Sequence, residues 1–336
     1  MINKTCLVTG GLGFIGSHVC VELLATNYNL IIIDNLSNSK IEKLGYIQKF
    51  NIFKNNIYFH NIDLINYEKL SNCITNIYND FLQIDIIIHL AGYKAVGESI
   101  NKPIMYYENN LISTLNLIKI MELFNIKNFI FSSSSTVYGT SSVPYIEQTQ
   151  TGQGITNPYG RSKYIQEEIL KDLSISKPNL NIILLRYFNP IGHINNYFKE
   201  EPNGIPNNLF PYLLKVYHGD MDLLTVFGSD YNTRDGTCSR DFIHVVDLAN
   251  AHQICCDGLI SNKISGLKIY NIGTGKDTTV MELINSFESV NKIKIPWKFG
   301  SRRKGDLESS YCNVDLIYKD LGWKAKYSID DCVRFN

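Results

Sequence analysis

A phenol and an ammonium four residues apart make a proton-transfer device when they share a helix, and the run Asn157-Pro158-Tyr159-Gly160-Arg161-Ser162-Lys163 offers that pair. Four residues is about one helical turn. Asn157 suits an N-cap and Pro158 the first helical position, so a helix is expected to start here with Tyr159 and Lys163 on one face. A phenol that titrates near pH 10 is a poor base at neutral pH. An ammonium roughly 6 Å away, at an effective dielectric of about 20, favours the phenolate by roughly 3 kcal/mol, or about two pKa units. Such a group takes up or returns a hydroxyl proton. In a chain with 21 tyrosines an isolated YxxxK is more often two ordinary residues of an amphipathic helix. The pair acquires meaning from its surroundings.

The N-terminus supplies them. An apolar run, Lys4-Thr5-Cys6-Leu7-Val8-Thr9, leads into Gly10-Gly11-Leu12-Gly13-Phe14-Ile15-Gly16-Ser17-His18, after which Val19, Leu23 and Leu24 carry helical spacing. Strand, glycine turn and helix form a phosphate cradle: Gly10, Gly13 and Gly16 allow a tight turn and close backbone approach, and the helix start attracts a pyrophosphate. The spacing is GxxGxxG, not the longer GxGxxG fingerprint. A second apolar strand, Leu30-Ile31-Ile32-Ile33, ends in Asp34, placed to accept from the ribose hydroxyls of a dinucleotide and to repel a 2′-phosphate. NAD is therefore expected over NADP, and an oxidised nicotinamide beside Tyr159 would favour the phenolate further.

Composition narrows the class. At 336 residues one large and one smaller domain are expected. Lysine plus arginine equals aspartate plus glutamate at 32 each, with no basic stripe, which argues against a nucleic-acid partner. Apolar runs such as Ile86-Ile87-Ile88 are strand-sized, and no charged-then-apolar leader precedes Thr5, so a soluble, cytoplasmic protein without a membrane partner is expected. Eight cysteines with no CxxC pair read as reduced, buried thiols, and none of the seven histidines falls in a metal-binding spacing.

Short apolar runs at 4–9, 29–34, 56–62, 84–91, 128–134 and 180–188 alternate with helical stretches, which predicts a Rossmann-like, doubly wound parallel sheet. The character changes between Asn189 and Asn208, where Pro190, Gly192, Pro202, Gly204 and Pro206 accumulate. This divides an NAD-binding domain, residues 1–189, from a smaller mixed α/β substrate domain, residues 190–336, some segments of which are expected to return to the first. The second part offers helices at 207–218, 245–257, 279–290 and 314–321 and strands at 223–227, 268–272 and 293–299.

In order along the chain, the glycine turn, Asp34-Asn35-Leu36-Ser37-Asn38-Ser39, His89-Leu90-Ala91-Gly92-Tyr93-Lys94, Phe131-Ser132-Ser133-Ser134 and the Tyr159–Lys163 pair resemble the extended short-chain dehydrogenase/reductases. Further segments narrow the likeness to the UDP-glucose 4-epimerase family, from about residue 4 to about residue 330. They are Tyr93-Lys94-Ala95-Val96-Gly97-Glu98-Ser99, Thr136-Val137-Tyr138-Gly139, Leu185-Arg186-Tyr187-Phe188-Asn189-Pro190, Gly204-Ile205-Pro206-Asn207-Asn208-Leu209, Arg240-Asp241-Phe242-Ile243-His244-Val245 and Arg302-Arg303-Lys304-Gly305-Asp306-Leu307.

The resemblance implies a redox reaction that cancels itself: NAD takes hydride from C4 of a UDP-hexose, the 4-ketose turns over, and hydride returns to its other face. By motif position Tyr159 is the base, Lys163 its partner and a ribose ligand, and Ser134 the hydroxyl on the reacting oxygen; Ser135 stands where the family usually has alanine. The resemblance places Gly13, Phe14 and Ile15 at the pyrophosphate, Asp34, Asn35, Leu36, Ser37, Asn38 and Ser39 at the adenosine ribose, and Asp63 and Leu64 beside adenine. Leu90, Ala91, Gly92, Tyr93, Lys94 and Asn109 lie at the second ribose, with Phe188 against the nicotinamide. Arg240 and Arg303 suit the diphosphate because guanidinium presents a planar fork of donors. Lys94, Tyr187, Asn189, Asn207, Asn208 and Leu209 also fall to the substrate, Thr225, Val226 and Phe227 to uracil, and Asp306 to the uridine ribose.

Ser310, four residues after Asp306, matches a position that lines the sugar pocket, and its small side chain implies room for an N-acetyl group, unless Tyr311 stands at the gate instead. The resemblance also implies a homodimer through the helices near 103–124 and after Tyr159; Leu111, Leu115, Ile118 and Leu123 recur there at helical spacing, as they would in ordinary core packing. A nucleotide-sugar 4,6-dehydratase shares the fold and YxxxK, but that branch has an acidic pair after its threonine and here Val137-Tyr138 follow Thr136. A UDP-glucuronate 4-epimerase would want cations for a C6 carboxylate. A non-catalytic NAD sensor would need neither Tyr159 nor Lys163.

Overall fold

The isoleucine-rich runs are apolar at every position, as strands covered on both faces must be. The computed structural model, which describes residues 4–80, 83–195, 198, 200, 206, 208–303 and 305–335, shows why. Strands β1 (Thr5–Thr9), β2 (Asn29–Asp34), β3 (Ile57–Asn61), β4 (Ile86–His89), β5 (Asn128–Ser134) and β6 (Asn181–Tyr187) form one parallel sheet. Helices α1 (Phe14–Ala25), α2 (Glu42–Gln48), α3 (Tyr67–Asn79), α4 (Val96–Asn101), α5 (Pro103–Leu123) and α6 (Pro158–Ser176) alternate with them. Successive side chains point to opposite faces. Leu30 and Ile32 therefore join the core that includes α1, while Ile31 and Ile33 join the one shared with α3, α5 and α6.

The remaining elements are β7 (Asn189–Ile191), α7 (Leu209–Tyr217), β8 (Leu224–Phe227), β9 (Ser239–Arg240), β10 (Phe242–His244), α8 (Val245–Ile260), β11 (Leu267–Ile272), β12 (Thr278–Thr279), α9 (Val280–Asn291), β13 (Trp297–Gly300), β14 (Ser309–Ser310), α10 (Asp315–Leu321) and α11 (Ile329–Val333). The sheet order is β11-β6-β5-β4-β1-β2-β3. So β11 comes back to become the seventh strand of the main sheet, in parallel register with β6, and α8 shares a core with α1. The smaller part has its own core of Phe210, Leu213, Leu283, Phe287 and Val333, contributed by α7, α9 and α11.

Short ladders then bring distant segments together. Strand β8 pairs with β13, setting Phe227 opposite Gly300, and β9 pairs with β14, setting Arg240 opposite Ser310.

Candidate functional site

The order in which successive strands are added reverses at β1, and a cleft opens there outside the carboxyl ends of the strands, where open α/β sheets bind ligands. It is lined by Gly10, Gly13, Phe14, Ile15 and Gly16 after β1, and by Asp34, Asn35, Ser37 and Asn38 after β2. Asp63 and Leu64 follow β3, Leu90, Ala91, Gly92, Tyr93 and Lys94 follow β4, and Asn109 of α5 completes the wall with Ser132 of β5. Ile33, Ile62 and Ser113 also line it and were not singled out in the sequence, because a side chain's presence in a wall depends on tertiary position.

The turn has no room for side chains: a Cβ on Gly16 would lie 2.1 Å from the Gly10 carbonyl oxygen, and one on Gly10, at φ +69°, 2.8 Å from the Ala91 nitrogen. Gly13 occupies the N-cap of α1 and brings no capping side chain, so the helix-start N–H groups remain for a phosphate. The buried Asp34 accepts from Leu12 N at 3.0 Å, Leu36 N at 2.9 Å and Ser39 Oγ at 2.7 Å. A carboxylate has about four acceptor sites, so capacity is left for ribose hydroxyls. These are the features a dinucleotide needs, and NAD fits them.

Leu36 and Ser39 do not line the cleft. Leu36, at φ +59°, packs on the core, and Ser39 hydrogen-bonds Asp34. Phe188 also lies off the cleft wall, buried 6.2 Å from the Tyr145 ring.

At the mouth of β5 stands the polar trio. Asn157 caps α6, accepting from Gly160 N at 2.8 Å, and Pro158 is the first helical residue, so local chemistry fixes where the helix begins. The Tyr159 phenol stands next to Ser134, whose Oγ accepts from Thr136 Oγ1 at 3.0 Å. Ser134, not Ser135, thus meets the phenol. Lys163, one turn further along α6, is buried, donates from Nζ to the Ser132 carbonyl at 2.7 Å and lies 4.8 Å from the Phe131 ring centre.

The electrostatics differ from the expectation drawn from spacing. Burial pushes the Tyr159 phenol above its ordinary value, against the opposing pull of Ser134 and the Lys94 charge. Burial also lowers the Lys163 ammonium to about 7, with Glu167 one turn away pulling it back up. Lys163 directs its charge at Ser132, and an ammonium half-deprotonated near neutrality lends little to the phenol.

Asn110 went unnoticed in the sequence although it organises the site. Fully buried in α5, it accepts from Tyr93 N at 2.9 Å and Asn109 Nδ2 at 3.0 Å, and donates to Ser162 Oγ at 3.0 Å. The cleft loop and the catalytic helix are thereby tied together. The available signal was an asparagine inside an apolar helix next to a predicted contact.

The substrate residues are only partly convergent. The β8–β13 and β9–β14 ladders set Thr225, Phe227, Arg240, Arg303, Asp306 and Ser310 on neighbouring segments, while the Val226 side chain is buried in the smaller core. Arg240 donates to the Leu307 carbonyl at 2.9 Å. Arg303 and Asp306, expected at different parts of a nucleotide, pair with each other at 2.8 Å. Lys94 pairs with Glu200. Tyr187 points away into the core, hydrogen-bonding His252 of α8. Asn189 anchors β7 by its backbone to Asp241, Asn208 occupies the N-cap position of α7, exposed and without a side-chain capping bond, and Leu209 packs on the smaller core. Asn207 lies outside the described residues. Ser310 is buried beside Tyr145.

A doubly wound sheet, a dinucleotide cleft at its switch point and a Ser–Tyr–Lys trio at the rim define a short-chain dehydrogenase/reductase. The family model described as GDP-mannose 4,6 dehydratase matches residues 7–335. A UDP-glucose 4-epimerase of Cyamopsis tetragonoloba is 44% identical over 99% of this chain and 94% of its own. The crystal structure of UDP-glucose 4-epimerase from Bifidobacterium longum in complex with NAD+ and UDP is 43% identical, with a TM-score of 0.90 over 98% of this chain and 96% of that one. The UDP-Glc/GlcNAc 4-epimerase of Campylobacter jejuni is 31% identical, with a TM-score of 0.83 over 98% and 97%. The chain belongs to the UDP-glucose 4-epimerase family of extended short-chain dehydrogenase/reductases.

Proposed function

We propose that this isomerase interconverts UDP-galactose and UDP-glucose by oxidising and re-reducing the hexose at C4. The observation that carries the reading is the Tyr159 phenol next to the Ser134 hydroxyl, with buried Lys163 bonded to Ser132 of the dinucleotide cleft. NAD supplies the hydride acceptor and donor. Gly13, Phe14 and Ile15 hold its pyrophosphate, Asp34 and Asn35 the adenosine ribose, Asp63 and Leu64 the adenine edge, and Leu90 to Lys94 with Asn109 the second ribose. Tyr159 takes the C4 hydroxyl proton as the ketone forms and returns it after the ketose has turned over, so protons and hydride balance within one turnover. Ser134 hydrogen-bonds the same oxygen. Lys163, fixed by Ser132, holds the second ribose. Arg240, Arg303 and Asp306 hold uridine diphosphate, which requires the Arg303–Asp306 pair to open or to share its donors.

Residues 1–189, with α8 and β11, form the cofactor half, and the remainder holds the UDP-sugar. Acetylated UDP-hexoses enter too, since Ser310 is small and the Campylobacter relative's name includes GlcNAc. A homodimer formed through α5 and α6 fits the exposed apolar side chains there. All eight cysteines are free and seven are buried, which suits a reducing, cytoplasmic compartment, and no described helix is long and apolar enough to cross a membrane.

Incubation with UDP-galactose without added NAD tests the reading. UDP-glucose should form with no NADH accumulating in solution; stoichiometric NADH or a 4-keto-6-deoxy sugar would overturn it.

A further inference from the structure

Tyr231 has no place in the roles above, yet it is 6% exposed and its hydroxyl has no hydrogen-bond partner among the described residues. Buried hydroxyls are nearly always paired, and an unpaired one weakens the fold. The ring itself is firmly held. Tyr231 N donates to the Gly236 carbonyl at 2.9 Å, and Thr233 N returns a bond to the Tyr231 carbonyl at 2.8 Å. Gly228, immediately after β8 and at φ +84°, lies so close that a Cβ there would sit 2.4 Å from the ring. The Arg302 guanidinium, fixed by Asp230 at 2.7 Å, lies 4.1 Å from the ring centre.

This position is set by the end of β8, where Thr225 and Phe227 stand, and by the arginine segment that follows β13. Arg302, stacked on the ring, is followed by Arg303, whose guanidinium lies 5.5 Å from the Phe227 ring centre, so the phenol borders the groups proposed for uridine diphosphate.

We infer that the Tyr231 hydroxyl donates a hydrogen bond to the bound nucleoside diphosphate, an inference that rests on the proposed UDP site. The phenol is pre-oriented by Gly228 and Arg302, so no side chain has to be ordered when the nucleotide arrives. The residue touches the nucleotide far from C4 and adds binding, not chemistry.

Tyr231→Phe tests this, because it removes the oxygen and keeps the ring. The dissociation constant of UDP measured by calorimetry should rise roughly tenfold, as for loss of one charge-assisted hydrogen bond. KM for UDP-galactose should rise with it, while kcat and bound NAD stay within about twofold. The melting temperature of the enzyme without UDP should hold or increase, since an unsatisfied buried group has been deleted. An unchanged UDP affinity overturns the inference. So does a fall in melting temperature with kcat and UDP affinity lost together, which marks a structural tyrosine. Failure of the unsubstituted enzyme to bind UDP would instead overturn the underlying site reading.

Discussion

Tyr159 shows what spacing alone predicts and what only a fold decides. Its helix start was legible because Asn157 and Pro158 act within one turn of the backbone. Its acidity was not, because burial raises the phenol while Lys163 is itself desolvated to about 7. The pairing of Arg303 with Asp306 was hidden for the same reason: neighbours three residues apart choose partners by side-chain direction. Tyr159→Phe should keep the fold and bound NAD but lose roughly 10² to 10⁴ in turnover of UDP-galactose, the scale of a positioned acid–base group. Near-normal turnover with cofactor retained would remove Tyr159 from that role. Ser310 sets the second prediction at this scale. It is buried beside the Tyr145 hydroxyl, whereas Tyr311 is half-buried and its carbonyl accepts from Tyr145 N at 3.0 Å. A tyrosine at 310 would fill the space beside the C2 substituent, so Ser310→Tyr should abolish epimerisation of UDP-N-acetylglucosamine and largely spare UDP-galactose. If the unsubstituted enzyme ignores UDP-N-acetylglucosamine at millimolar concentration, the open pocket is wrong.

Among the elements, α6 is unusual in turning polar groups inward: Lys163, Gln166 and Glu167 are all buried along it. Gln166 donates to the Asn110 carbonyl at 2.8 Å and to Thr114, and His89 bridges Thr114 to Thr9 at the start of the glycine turn. Glu167 binds Arg186 of β6 through two hydrogen bonds at 2.7 and 2.9 Å, with both side chains inaccessible. An apolar-stripe reading of the sequence has no means of foreseeing this, since buried charges are admitted only by their exact partners. Removing one partner strands the other, so Glu167→Gln should destabilise the protein by roughly 3 to 5 kcal/mol. Chemical denaturation checks that; a loss below about 1 kcal/mol would mean that water reaches Arg186. Helix α5 departs from expectation differently. Ile118 is core, but Leu115 and Leu123 are 41% and 59% exposed, as are Ile104 at 65% and Ile112 at 38%. At about 100° per residue these four fall within one stripe about 100° wide, opposite the face that covers the sheet. A helix apolar on both sides wants a second partner, so sedimentation at micromolar concentration should show a dimer, and Leu115→Arg with Leu123→Arg should yield monomer. Monomer for the unsubstituted chain would defeat that assembly.

At the scale of the whole molecule, the parallel sheet was the most legible feature, because continuous apolar strands separated by helices have few other solutions. A return of some segments to the first domain was expected, but nothing in Leu267–Ile272 states that β11 is the one or which edge it will join. The burial of the histidines, which the chain gathers from separate elements, was not readable either. His18 and His89 are lowered to about 3, and His244 and His252 to about 4, chiefly by desolvation of the charged form; Lys163 adds to the effect at His89. In the unfolded chain each titrates near 6.5. As pH falls through that value the unfolded state takes up protons that the folded state refuses, so stability present above about pH 6.5 is lost on acidification. The slope is about 1.4 kcal/mol per histidine per pH unit until the folded values are reached. Half-buried Glu22 and buried Glu147, Asp241 and Asp247 are raised and act in the opposite sense, binding protons first in the folded state, but they start from ordinary values near 4, below the range in which the imidazoles begin to charge. The histidines therefore govern the interval between about pH 6.5 and 5. Melting temperature should fall steeply across it, and a flat profile would show that these imidazoles either reach solvent or keep their protons in the folded protein.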